Sequence, residues 1–137
     1  MDVAEINLEE IELGKLAQTN SMNSDVKKLG KMMETDHEKA LTSLKELAGK
    51  KNITIPTTIT EKGEKACDKL KDKTGAEFDK LYCDMMVDGH KDAISKFEKA
   101  STDAKDEDIR EWAKNMISTL RTHLDHALNC QQYSNKM

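Results

Sequence analysis

Two stretches of this chain place a histidine in the same company: Met33-Glu34-Thr35-Asp36-His37-Glu38-Lys39-Ala40-Leu41 and Met86-Val87-Asp88-Gly89-His90-Lys91-Asp92-Ala93-Ile94. In each, a Met, a His, an Ala and an aliphatic residue share one spacing, which puts the imidazole on the apolar stripe of a helix. Glu10 and His123 fall on apolar stripes of their own. Polar groups inside a core are costly unless bonded, so four convergent ones call for a shared partner. A cation is such a partner, because imidazole nitrogens and a carboxylate oxygen can all donate to it. The set His37, His90, His123 and Glu10 is therefore a candidate site for a transition-metal ion. The ligand types suit Zn, Fe, Mn or Cu without choosing among them.

The elements that must position these residues are four long helices. Val3, Ile6, Glu10, Leu13 and Ala17 mark one face of a first helix over about residues 3–20. The polar turn Thr19-Asn20-Ser21-Met22-Asn23-Ser24 follows, with Ser24 as the expected N-cap. The second helix spans about 25–51 on the stripe Val26, Leu29, Met33, His37, Ala40, Leu44 and Leu47. The third covers about 76–100 with Phe78, Tyr82, Met86, His90, Ala93 and Phe97. The fourth covers about 106–131 with Ile109, Ala113, Met116, Leu120, His123 and Ala127. Between the second and third lie the β-branched run to Pro56, expected to be extended, and a short amphipathic helix over about 60–73.

These elements predict an all-α chain: one four-helix bundle over residues 1–131, followed by a frayed tail at 132–137. The two short turns make antiparallel hairpins. The passage from Asn52 to Gly75 is long enough to run back along the bundle, so the helices it joins are expected to be parallel. One long crossover of this kind, here carrying the short helix, is the ferritin-like arrangement.

Depth along the bundle tests the site. Glu10 and His37 lie at similar distances from the first turn, so their levels agree. His123 sits about six residues further from the third turn than His90 does, or ~9 Å of helix rise. That offset points to a separate position for His123, near Tyr82 and Asp84. His126 lies nearer the edge of the stripe and is a weaker candidate. The competing reading needs no metal. In it each histidine is a core residue hydrogen-bonded to a neighbouring acid such as Glu10 or Asp84, and the chain is a structural or interaction bundle.

Composition supports the fold and excludes several functions. Of 137 residues, 36% are hydrophobic and 35% charged, with one Pro and six Gly, as solvent-exposed amphipathic helices require. Aromatics make up only 4%, so Leu, Ile, Met and Ala must build the core. Net charge is -4 with no basic patch, which argues against a nucleic-acid partner. No apolar run approaches a membrane span, and no leader with a charged start and apolar middle occurs. Either the chain is cytosolic or a leader has been removed. Three cysteines without close spacing form no zinc motif and read as buried hydrophobes or one incidental disulfide.

Enzyme chemistry finds little footing. A di-iron carboxylate site needs a Glu-x-x-His on each of two helices. Glu34-Thr35-Asp36-His37 fits, but Val87 and Leu120 stand where the partner carboxylates belong. There is no nucleophile with its base, no phosphate loop and no dinucleotide fingerprint. The Met-rich stripe (Met32, Met33, Met85, Met86, Met116) reads as core filling.

At several points the chain resembles a bacterial family of unknown function, domain of unknown function 4142, whose members are often labelled outer membrane proteins. The resemblance rests on Glu10-Ile11-Glu12-Leu13-Gly14-Lys15-Leu16-Ala17, on Met33 with Asp36-His37, and on Gly75-Ala76-Glu77-Phe78-Asp79 leading to Tyr82. It continues through Met86-Val87 with His90 and closes at Leu120-Arg121-Thr122-His123-Leu124. Gly89 departs from the family pattern, which usually has Asp beside the histidine. The resemblance implies a ferritin-like bundle and a periplasmic or cell-envelope location, and it implies no established activity.

Overall fold

Among the described residues the apolar stripes fold into five helices: α1 (Asp2–Asn20), α2 (Ser24–Lys50), α3 (Glu61–Lys71), α4 (Gly75–Asp103) and α5 (Glu107–Asn135). The structure, a computed structural model, describes residues 2–55 and 58–135, and no strand occurs among them. Pro56 lies outside the described residues, as do the side chain of Val3 and residues 136–137. α5 continues to Asn135, beyond the end near Gln131 that its stripe suggested.

Local chemistry explains the helix ends. Asn23, not the expected Ser24, caps α2: its side-chain oxygen accepts from the backbone N–H of Asp25 at 2.8 Å and of Val26 at 3.1 Å. Both residue types are good caps, and here the earlier one satisfies the free amides. Thr60 opens α3 by accepting from the Gly63 N–H at 3.1 Å. Asp106 opens α5 by accepting from Asp108 and Ile109, at 2.9 and 3.2 Å.

Contacts between distant residues fix the helix directions. Ser21, in the α1–α2 turn, donates its hydroxyl to buried Asp79 in the first turns of α4 at 2.6 Å. At the other end Lys51, just past α2, pairs with Asp106 and Asp108 at the start of α5. α2 and α4 thus begin at one end of the bundle and run parallel, and the segment between them spans its length, as the crossover reading requires. Within that crossover α3 is held by Asn20, whose side-chain amide donates to the carbonyls of Leu70 and Lys71 at the α3 C-terminus. α1 packs against α2 and α4, and α5 against α4 and α2.

The α1–α2 contact is unusually close. A Cβ on Gly14 would meet the Gly30 carbonyl at 2.6 Å, and one on Gly30 would meet the Gly14 carbonyl at 2.7 Å. Only hydrogen at both positions lets the two backbones approach this far. A disulfide joins Cys83 of α4 to Cys130 of α5 across 5.6 Å between Cα atoms, ordinary spacing for such a bond. The third cysteine, Cys67, is a free, half-buried thiol pushed up to about 11 by burial and neighbouring acids.

The apolar core divides into two clusters. One holds Ile11, Leu41, Leu44, Phe97, Trp112, Met116 and Leu120. The other holds Leu13, Leu29, Met33, Phe78, Tyr82, Met86 and Ala127. On α2, α4 and α5 alike, the residue that separates the two clusters is a histidine.

Candidate metal centre

His37, His90 and His123 are each 0% exposed. Their rings meet in one layer, with centroids 6.0 Å apart for His37–His90, 5.2 Å for His37–His123 and 5.4 Å for His90–His123. His123 therefore shares the layer with the other two, and the separate position near Tyr82 and Asp84 is corrected. The third turn lies further along the chain than the apolar stripes indicate. α4 runs on to Asp103 and α5 starts at Glu107, so the distances from the turn are thirteen residues for His90 and sixteen for His123. The remaining three residues amount to ~4.5 Å of rise, which two side chains can bridge.

Each ring has one nitrogen committed to an oxygen, and the oxygens fix the tautomers. The Nδ1–H of His90 donates to the Met86 carbonyl at 2.9 Å. The Nε2–H of His123 donates to the Asp36 carboxylate at 2.8 Å. The Nδ1–H of His37 donates to the Asn7 side-chain oxygen at 2.8 Å. A carbonyl or carboxylate oxygen can only accept, so each of these nitrogens carries the proton. What remains is a bare lone pair on Nε2 of His37, Nε2 of His90 and Nδ1 of His123. These three atoms are fully buried and have no hydrogen-bond partner, and one ring nitrogen from each of the three histidines lies within 4.8 Å of the others.

Burial keeps all three rings neutral. It lowers His37 well below the usual histidine range, with His123 and His90 adding to the effect. It lowers His90 to about 4, with His123 adding and the hydrogen bond to Met86 opposing. His123 is lowered by burial against the opposing pull of Asp36. A neutral imidazole with its far nitrogen tied to an oxygen is the form in which histidine ligates metals. A water molecule has two hydrogens and could serve only two of the three lone pairs, whereas a cation accepts from all three.

Glu10 stands beside this group rather than within it. It is not among the residues whose ligand atoms all lie within 4.8 Å of one another. Its Oε1 sits 3.6 Å from where a side chain on Gly89 would begin, next to His90, and its buried Oε2 has no hydrogen-bond partner. Burial, with Glu9 adding, raises its carboxyl to about 8, so near neutral pH it is largely the protonated acid. The Tyr82 hydroxyl is also buried without a hydrogen-bond partner, and burial and Glu10 push its pKa well up.

Of the acids considered as hydrogen-bond partners for these rings, neither serves. Asp84 instead accepts from the Gln131 side-chain amide at 2.9 Å. The partners in place, Asn7 and Asp36, were not among the candidates. Asp36 was within reach, since it directly precedes His37, but it bonds to a ring on another helix. It also lines an open groove of about 410 Å³ between α2 and α5, together with Lys39, Trp112 and Met116. Its half-exposed carboxylate links the His123 ring to solvent.

Fold and site together define a helical bundle whose apolar interior is interrupted by one layer of three lone-pair-bearing imidazoles. The chain belongs to the family described as Domain of unknown function (DUF4142), whose model matches residues 1–130. No curated protein and no solved structure matches it.

Proposed function

We propose that the bundle binds one transition-metal ion in its histidine layer. The ligands are Nε2 of His37, Nε2 of His90 and Nδ1 of His123, and Glu10 serves as a carboxylate ligand or partner on the α1 side. The observation that carries this reading is the convergence of three neutral, buried lone pairs with nothing to accept them. Hydrogen bonds to Asn7, Met86 and Asp36 orient the rings as outer partners of metal-bound histidines do. Three imidazoles also leave a coordination position free, which Glu10, a water or a small ligand would fill.

The role that follows is metal holding, as buffering or stress protection, in the cell envelope. The Cys83–Cys130 disulfide supports that location, because such bonds persist in oxidising compartments. The resemblance to exported family members points the same way.

Elemental analysis of purified protein, with thermal melts on adding Zn(II), Cu(II), Mn(II) or Fe(II), tests the reading. The expected result is about one equivalent of metal per chain and a raised Tm, both lost in the double substitution His37→Ala with His90→Ala. Saturation at a hundredfold excess over Kd stabilises by about 2.7 kcal/mol. A structural bundle without metal is the second reading, favoured by the hydrogen bond that each ring already makes. It requires metal-free wild type, no thermal response to any of the four ions, and a large stability loss for each single histidine substitution.

A further inference from the structure

The disulfide occupies a particular place relative to the histidines. Cys83 precedes His90 by seven residues on α4, and Cys130 follows His123 by seven residues on α5. Seven residues are two helical turns, so each cysteine lies on nearly the same face as its histidine. α4 and α5 are antiparallel, so both offsets run toward the same end of the bundle. The His90–His123 pair is thus bracketed between the covalent turn at 104–106 and the covalent bond at 83–130. Beside that bond the Gln131 amide donates to Asp84, one residue along on each helix.

We infer that the Cys83–Cys130 disulfide is a redox control on the histidine site: it locks the axial register of α4 against α5 and thereby presets the spacing of His90 and His123. This rests on the metal-binding reading above. Reduction leaves the hairpin tethered covalently at one end only, and the two imidazoles then hold their separation through noncovalent contacts alone.

The bond can be reached. Cys83 is fully buried, but Cys130 is half-buried and lines an open groove of about 400 Å³ with Val26, Leu29, Met32 and His126. A thiolate of a dithiol reductant attacks the Cys130 sulfur from the groove and displaces Cys83 as thiolate. The second thiol of the reductant then attacks the mixed disulfide and releases Cys130. Two electrons and two protons pass to the protein, which gains two thiols, and the reductant leaves as a cyclic disulfide.

The test compares three forms: oxidised wild type, wild type reduced with dithiothreitol and desalted under nitrogen, and the oxidation-proof variant Cys83→Ala with Cys130→Ala. Zn(II) affinity is measured for each by competition with a chromophoric chelator, with circular dichroism and apo melting curves confirming that each form is folded. The variant contains neither thiol, so it separates lost register from new thiolate ligands. The expected result is affinity about tenfold weaker in the variant than in the oxidised protein, comparable to losing a hydrogen-bond partner of a metal ligand. Affinities equal within twofold across folded forms overturn the control and leave the metal site standing. Absence of Zn(II) binding in every form overturns the metal site itself, and this inference with it.

Discussion

Glu10→Gln isolates the cost of the buried carboxyl, because the amide keeps the shape and removes the charge. Burial raises this carboxyl from 4.5 to about 8. A group whose folded pKa is raised contributes stability that is complete below its unfolded pKa and is lost as pH rises toward the folded one. In metal-free protein the loss therefore runs from pH 4.5 to about 8, at about 1.4 kcal/mol per pH unit. Between pH 5.5 and 8, Glu10→Gln should gain on wild type by about 3 kcal/mol. The histidines titrate in both proteins and cancel from this difference. Parallel urea denaturation of the two proteins across that range reads it directly, and in melting curves it corresponds to roughly 10 °C. Loading with metal should shrink the gap, since a cation nearby favours the carboxylate. A gap that stays constant with pH in the metal-free proteins would refute the reasoning, because it would mean the carboxyl is solvated and ionised in the folded state.

Acid should act through the histidines with the opposite sign. His90 is lowered from 6.5 to about 4, so its contribution is present above pH 6.5 and lost on acidification, to the extent of about 3 kcal/mol. In metal-free Glu10→Gln, which lacks the opposing carboxyl titration, the urea midpoint should fall between pH 6.5 and 4.5, and a flat profile there would contradict neutral burial of the layer. Asp36→Asn weakens the acceptor for the His123 Nε2–H at a half-exposed position. It should cost 10- to 100-fold in metal affinity while leaving the fold intact, and unchanged affinity would remove Asp36 from the site. Gly14→Ala sets a methyl 2.6 Å from the Gly30 carbonyl and should destabilise by about 1–3 kcal/mol, read as a drop in Tm.

The sequence carried the four long stripes and the crossover because hydrophobic periodicity and chain length are local quantities. It carried the histidines for the same reason: each is the polar residue on an otherwise apolar face. Helix ends were less legible. Asn23 and Ser24 are both competent caps, and three extra residues on α4 account for about half of the apparent offset of His123. Partners across helices were not legible at all. Whether His123 meets Asp36 or Asp84 depends on the rotation of α5 about its axis, which spacing along one chain does not encode. The pairing of Cys83 with Cys130, 47 residues apart, left one usable trace: equal seven-residue offsets from histidines on adjacent antiparallel helices.

Anomalous diffraction from a crystal loaded with Zn(II) or Mn(II), collected at the metal's edge, tests the central claim most directly. The account predicts one peak per chain at about 2.0–2.2 Å from Nε2 of His37, Nε2 of His90 and Nδ1 of His123. A peak bound through other atoms, or an ordered histidine layer with no peak in it, would contradict the account.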